Sequence, residues 1–161
     1  LIDFLQIGRS GELLTAYFLE SFGVQTALVH MGCTDILAIH KNYYVRIQVK
    51  SREQACHNRY DFFIAKGGKK VRLSIMDCDI LALVGLPHRQ VYFMHILDMT
   101  DAKHKRINCA RFSDDDLARS TWDRALNKLE NCNASMGSRD ALDIALRFKN
   151  VIVPPNVVGT S

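Results

Sequence analysis

The sequence predicts an α/β fold from three observations. An apolar helical stretch opens it at residues 8 to 22, strand-like runs follow in close succession, and one of these, Tyr43 to Ser51, alternates apolar and polar residues throughout. Hydrophobic residues make up 48% of the 161-residue chain and charged residues 24%, enough apolar mass for one cored domain and too little charge for a disordered polyelectrolyte. The formal net charge of +4 is compatible with a polyanionic partner but does not by itself identify one. No apolar run reaches membrane-spanning length and no secretory signal is visible. The five cysteines, Cys33, Cys56, Cys78, Cys109 and Cys132, are odd in number, widely spaced and free of any C-x-x-C, which argues against a disulfide framework or a structural zinc. Reduced thiols in an intracellular protein, in the cytoplasm of a prokaryotic or phage-infected cell, are expected. The chain begins at Leu1 rather than Met, so its true start is expected upstream.

Each element follows from local pattern. Leu13, Leu14, Ala16, Tyr17, Phe18, Leu19 and Phe22 cover most of the first helix, predicting a largely buried rod capped by Gly23, with Ser10 as an alternative N-cap. Val24 to His30 and Asp35 to His40 read as strands about a turn at Met31 to Thr34. Lys41 and Asn42 fit a tight hairpin turn into Tyr43 to Ser51. There Tyr43, Val45, Ile47 and Val49 line one face, and Tyr44, Arg46, Gln48 and Lys50 the other. After a polar loop at 52 to 59 come strands at Tyr60 to Ala65, Asp79 to Val84 and Gln90 to Ile96. The basic stretch from Thr100 to Arg111 is irregular. Ser113 is a candidate cap for a helix from Asp114 to about Asn131, a shorter helix is expected from Ser138 to Phe148, and Val151 to Ser161 reads as an irregular tail.

The chemistry concentrates in the motif strand. Hydrolysis of a phosphodiester needs an activated water and neutralisation of charge on the phosphate. Asp35 offers a carboxylate, Gln48 a neutral carbonyl oxygen and Val49 a backbone carbonyl, an oxygen set that suits Mg²⁺, with Mn²⁺ as a substitute. Lys50 emerges on the same face as Gln48, where its ammonium could orient or deprotonate water and offset phosphate charge. Glu12 lies on the first helix among apolar positions and needs a partner if buried; the hydration shell of a metal is one candidate and a basic side chain another.

Gly8-Arg9-Ser10-Gly11-Glu12, then Asp35-Ile36-Leu37-Ala38, then Ile47-Gln48-Val49-Lys50-Ser51 resemble the PD-(D/E)XK nuclease superfamily, and Gln48 in place of the usual acid resembles its group I intron homing endonuclease branch. Thr34 stands where the family name has proline. The resemblance spans roughly residues 8 to 96. It implies a restriction-endonuclease-like core with a central mixed β-sheet flanked by helices. Beyond that core, the stretch from about 100 to 161 reads from its own residue pattern as a C-terminal helical extension within one domain spanning 1 to 161. The resemblance also implies Mg²⁺ dependence, double-stranded DNA as substrate, and a homodimer or homotetramer. Glu12, Asp35, Gln48 and Lys50 take the catalytic roles, with Glu12, Asp35, Gln48 and Val49 on the metal. A Holliday junction resolvase, a repair nuclease, and a non-catalytic DNA-binding module on an inactivated core remain the alternatives.

Candidate DNA contacts are Arg46 and Arg52, which flank the site, and the turn carrying Lys66, Lys69, Lys70 and Arg72, which is otherwise a soluble hairpin tip. Lys103, His104, Lys105 and Arg106 form a second basic stretch, either a groove-reading loop or a solvated connection. Asp77 and Asp79 read as turn and strand-start residues sooner than as a metal-binding pair, and His30 and His40, which bracket the hairpin, as structural sooner than as neighbours of the phosphate. Trp122, Leu117, Leu126 and Leu129 share one helical stripe that reads as core or subunit contact rather than a base-stacking platform, with oligomerisation attractive because the helix is expected outside the catalytic core.

Overall fold

The structure, a computed structural model, describes residues 3–66, 71–100 and 103–135. Helix α1 (Phe4–Ser21) is followed by β1 (Gln25–Met31), β2 (Thr34–His40) and β3 (Tyr43–Arg52). Next come β4 (Arg59–Phe63), β5 (Ala65–Lys66), β6 (Val71–Arg72), β7 (Ile80–Gly85), β8 (Gln90–His95), β9 (His104–Asn108) and helix α2 (Leu117–Ser135). The turn expected at 67–70, the helix expected from Ser138 to Phe148 and the irregular tail expected from Val151 to Ser161 fall outside the described residues.

Five strands form the central sheet in the order β1-β2-β3-β7-β8. All pairings are antiparallel except β3 with β7, so the sheet is mixed, as expected. The parallel pair lies at the centre. β7 is buried along its whole length, as an interior parallel strand covered on both faces must be. Its residues divide by parity: Ile80, Ala82 and Val84 enter the core shared with both helices, and Leu81 and Leu83 enter a second core on the other face.

α1 begins at Asp3, whose N–H donates to the Gln6 side chain at 3.3 Å, four residues or more before the expected start. It ends as the sequence predicts. Gly23 takes φ +81°, its N–H donates to Glu20 O at 2.9 Å, and the Val24 N–H donates to Leu19 O at 3.0 Å, the two bonds of a Schellman motif. The helix is less buried than expected. Gly11, Thr15 and Leu19 face the sheet, while Leu13 and Tyr17 are half or more exposed.

Of the two readings of the Trp122 stripe, core and subunit contact, the structure has the core: Leu117, Trp122, Leu126 and Leu129 are all buried, so α2 is part of the core and not outside it. Trp122 packs edge-on to Phe93 of β8 with centroids 5.3 Å apart. β8 is an edge strand, and α2 covers that edge chemically: the Phe93 N–H donates to Thr121 Oγ1 at 3.0 Å. Glu130 then ties the helix to the β2–β3 turn through Lys41 at 2.5 Å and His40 at 3.0 Å. Ser113 lies in a 3-10 turn and does not cap α2. The helix starts three residues after the expected Asp114.

The basic stretch expected to be irregular contains a strand. β9 pairs antiparallel with β4, Tyr60 opposite Ile107 and Asp61 opposite Arg106, in a two-stranded ribbon outside the main sheet. Tyr60, Phe62 and Ile107 fill the second core. Gly85 allows the close seat of this ribbon, because a Cβ there would lie 2.7 Å from the Tyr60 ring and 3.0 Å from Phe112. Among the described residues no helix is long and apolar enough to cross a membrane.

His95, at the end of β8, is fully buried. Its Nδ1 accepts the Leu97 N–H at 3.1 Å, so the ring proton is on Nε2, which has no partner among the described residues. Burial holds its pKa below the ordinary imidazole value. The unfolded chain therefore takes up a proton before the folded one does. The stability this neutral ring allows is complete above about pH 6.5 and is lost as pH falls from there through the folded value. Thermal melts from neutral pH to about pH 5 are expected to show the decline, and His95→Gln is expected to flatten it.

Candidate active site

The site arises where two strands part. β2 and β3 pair from His40–Tyr43 to Ile36–Ile47 and no further, while β3 continues beside β7 from Ile47–Ile80 to Arg52–Gly85. Beyond Ile47 the outer edge of β3 would expose a buried N–H, and Asp35 satisfies it. Its Oδ2 accepts the Val49 N–H at 2.7 Å and a second, short bond from the Gln48 amide. The Gln48 amide also reaches the Val49 carbonyl at 3.3 Å. Three of the expected site residues thus meet at one oxygen, and Lys50 follows on the same strand.

Glu12 comes from the opposite element. A Cβ on Gly11 would lie 1.7 Å from Ser51 Oγ and 3.5 Å from Val49 Cγ1, so only glycine lets α1 sit this close to β3. The next residue, Glu12, is thereby brought to the motif strand with its side chain only 14% exposed. Of the two partners left open for it, the basic side chain is present as Arg9, 3.1 Å away on the same helix.

Charge couples these groups. The Asp35 carboxyl is held above the usual carboxylate range by burial first and by the Glu12 charge, against the Val49 hydrogen bond and the charges of Lys50 and His30. His30, which brackets the hairpin and has by sequence a minor claim to lie near the phosphate, is close enough for its charge to bear on Asp35. The Asp35 and Glu12 carboxylates, the Gln48 amide oxygen and the Val49 carbonyl would together make a hard, all-oxygen donor set of the type that suits Mg²⁺, whereas it is the Gln48 amide N–H that faces Asp35 here. Among the described residues no group of three His, Cys, Asp or Glu side chains forms a metal cage, so a cation here would also need the amide and the carbonyl.

The expected DNA contacts divide sharply. Arg46 is corrected to a structural role. It is 9% exposed, pairs with Asp79 at 2.8 Å, and donates to the Met76 and Ile75 carbonyls at 3.0 and 2.7 Å. Lys66 pairs with Asp77 at 2.6 Å, and Arg72 donates to Thr100 O at 2.7 Å. Arg52 is exposed and donates through Nε to the Asp61 carbonyl at 2.6 Å. Lys69 and Lys70 lie outside the described residues. Asp77 and Asp79 do serve turn and strand start: Asp77 accepts the Ser74 N–H at 2.9 Å and Asp79 the Arg46 N–H at 2.8 Å. A cavity of about 260 Å³ beside the start of β2, lined by Met31, Cys33, Leu37 and Met76 among others, contains none of Glu12, Asp35, Gln48 or Lys50.

No protein-family model and no curated protein matches the chain. In three dimensions it is similar to a solved structure described as a bacterial homing endonuclease, I-Ssp6803I. The TM-score is 0.61 at 11% identity, over 84% of this chain and 99% of that one. At that identity the likeness carries the fold alone, a mixed sheet flanked by helices.

Gly11→Ala is expected to destabilise the protein by about 1–3 kcal/mol, because the added methyl overpacks the α1–β3 seat. Ser51→Gly removes the clashing atoms. Urea unfolding of the double variant is expected to show a smaller loss than the two single losses added together.

Proposed function

We propose that the protein is a metal-dependent endonuclease that hydrolyses phosphodiester bonds in double-stranded DNA, and that its action is sequence-specific, of the homing type. One observation carries the reading. The parting of β2 from β3 gathers Asp35, Gln48 and Val49 at a single oxygen, with Lys50 next along the strand and the Glu12 charge bearing on Asp35. The similarity to a homing endonuclease structure supports the choice of chemistry over other uses of such a cluster.

In this reading Asp35 and Glu12 hold the divalent cation, Mg²⁺ or Mn²⁺, with the Gln48 amide oxygen and the Val49 carbonyl. The cation supplies Lewis acidity and charge neutralisation at the phosphate. Lys50 orients the attacking water and balances charge developing on the phosphoryl oxygens. The Val49 N–H fixes the Asp35 carboxylate before substrate arrives, so little reorganisation is left for the reaction. Cutting both strands requires two such sites, so a homodimer or homotetramer follows. With the Trp122 stripe buried, the apolar side chains left for subunit contact on α1 include Leu5, Leu13 and Tyr17.

The test is Mg²⁺-dependent cleavage of a duplex DNA library. Lys50→Ala is expected to cut about two to three orders of magnitude more slowly than the wild type. Equal rates would rule the mechanism out.

A second reading, a DNA-binding module that does not cut, has one observation in its favour: the Gln48 amide donates to both the Asp35 carboxylate and the Val49 carbonyl, the oxygens a cation needs. Melting separates the two. If the site binds metal, Mg²⁺ at about 10 mM raises the wild-type midpoint, by an amount that grows with the logarithm of the metal concentration once it exceeds Kd. Asp35→Asn, which keeps an oxygen for the Val49 N–H, is expected to abolish that rise. A wild type unmoved by Mg²⁺ or Mn²⁺ that still binds DNA would favour the module.

A further inference from the structure

The β4–β9 ribbon has one face buried and one face that the mechanism above leaves unused. Tyr60, Phe62 and Ile107 are in the second core. Asp61 and its cross-strand partner Arg106 point the other way, with His104 beside them, the Arg106 side chain being 64% exposed. Asp61 organises this face. Its Oδ1 pairs with His104 Nδ1 at 2.7 Å, its Oδ2 with Arg106 Nε at 3.0 Å, and its backbone carbonyl accepts Arg52 Nε at 2.6 Å. Burial works to raise the Asp61 carboxyl, but His104 and Arg106 outweigh it and hold the group below the usual range, so it is charged at neutral pH.

Both arginines are therefore anchored through Nε. Among the described residues their terminal nitrogens make no bond, which leaves the end-on pair of donors for a bidentate contact. Flexible lysines are enough for attraction to phosphates, whereas a guanidinium held in one orientation can discriminate between bases. A two-stranded ribbon fits the major groove, and the commonest specific contact there is a bidentate arginine on guanine. The ribbon is rigidly seated: Tyr60 packs on Phe112 with centroids 5.0 Å apart and bonds His88 at 2.7 Å. It is also joined to the active site, because Arg52 lies two residues beyond Lys50 on β3, roughly 7 Å of strand.

We propose that the β4–β9 ribbon enters the major groove of duplex DNA and reads base edges a few base pairs from the hydrolysed phosphate, with Arg106 and Arg52 as the reading side chains and Asp61 as their positioning residue. The proposal rests on the DNA-cleaving function above and adds the element that chooses the target.

The experiment recovers bound sequences from a randomised duplex library with the wild type, Arg106→Ala, Arg106→Lys and Asp61→Asn. Affinity for the recovered site and for an unrelated duplex is then measured at two salt concentrations. Arg106→Ala and Arg106→Lys are expected to lose preference at one or two base positions, with discrimination there falling about tenfold or more. Affinity for the unrelated duplex is expected to change little in Arg106→Lys, which keeps the charge and loses the fork. Asp61→Asn is expected to blur the same positions. If the Arg106 variants keep the wild-type preference, or if Arg106→Ala weakens every sequence equally with a shallower salt dependence while Arg106→Lys restores it, the ribbon is a phosphate clamp and the proposal falls with the function intact. A wild type that neither binds nor cuts duplex DNA overturns both.

Discussion

The hydrogen bond from the Val49 N–H to the Asp35 carboxylate is the contact on which the site depends. A backbone donor inside a sheet must find an acceptor, and leaving one buried and unpaired costs on the order of 1–3 kcal/mol. Because β2 joins β3 only from Ile36 onward, no backbone carbonyl of the preceding β2 residues is paired with β3 beyond Ile47. A side-chain oxygen of the right length takes its place. One contact therefore ends the β2–β3 ladder, keeps β3 satisfied, and fixes a carboxylate at the mouth of the fork. The arrangement has a cost: Asp35 is partly desolvated beside Glu12, and its ionised form is disfavoured. Such strain at a polar cluster is expected where geometry serves chemistry rather than stability.

Two glycines transmit this constraint to the rest of the molecule. Gly11 brings α1 onto β3 from one face of the sheet, and Gly85 brings Tyr60 and Phe112 onto β7 from the other. β3 and β7 are the parallel neighbours at the sheet centre, so the strand carrying the site is held through a helix on one side and, via β7, through a ribbon on the other. The two long polar side chains buried on β3 each have a partner: Arg46 has Asp79, and Gln48 has Asp35.

This explains what could be read in the sequence and what could not. The alternation from Tyr43 to Lys50 gave the strand and the grouping of Gln48 with Lys50 on one face, and Gly23 marked the end of the first helix. Periodicity also suggested that Arg46 and Gln48 faced the DNA side, because a polar residue every second position looks the same whether it meets water or a buried acid. The acid that settles Arg46 is Asp79, 33 residues away. Helical spacing gave the Trp122 stripe but not its covering, which is β8. β9 escaped because Ile107 is the one buried residue among His104 to Asn108. Its strand geometry comes from pairing with β4, not from its own composition. Glu12 was legible as a carboxylate in need of a partner, yet its nearness to the site depends on a backbone approach at Gly11 that no residue pattern announces.

The same distinction governs how the positive charge should be understood. Arg46 and Arg52 lie on one strand, share a face and were equal candidates by sequence. Burial separates them. The Arg46 guanidinium is consumed by a carboxylate and two carbonyls that close the loop before β7, and moving it to a ligand would strand Asp79 in the interior. Arg52 gives up only one N–H, to the carbonyl of a surface ribbon, and keeps its forked end. Formal net charge counts both alike, although only the second can reach an external anion without breaking the fold. Affinity for a polyanion therefore depends on which cations the folded chain leaves unspent. In this molecule the reach of Arg52 toward Asp61 places the unspent charge along a line from the parted strands to the ribbon.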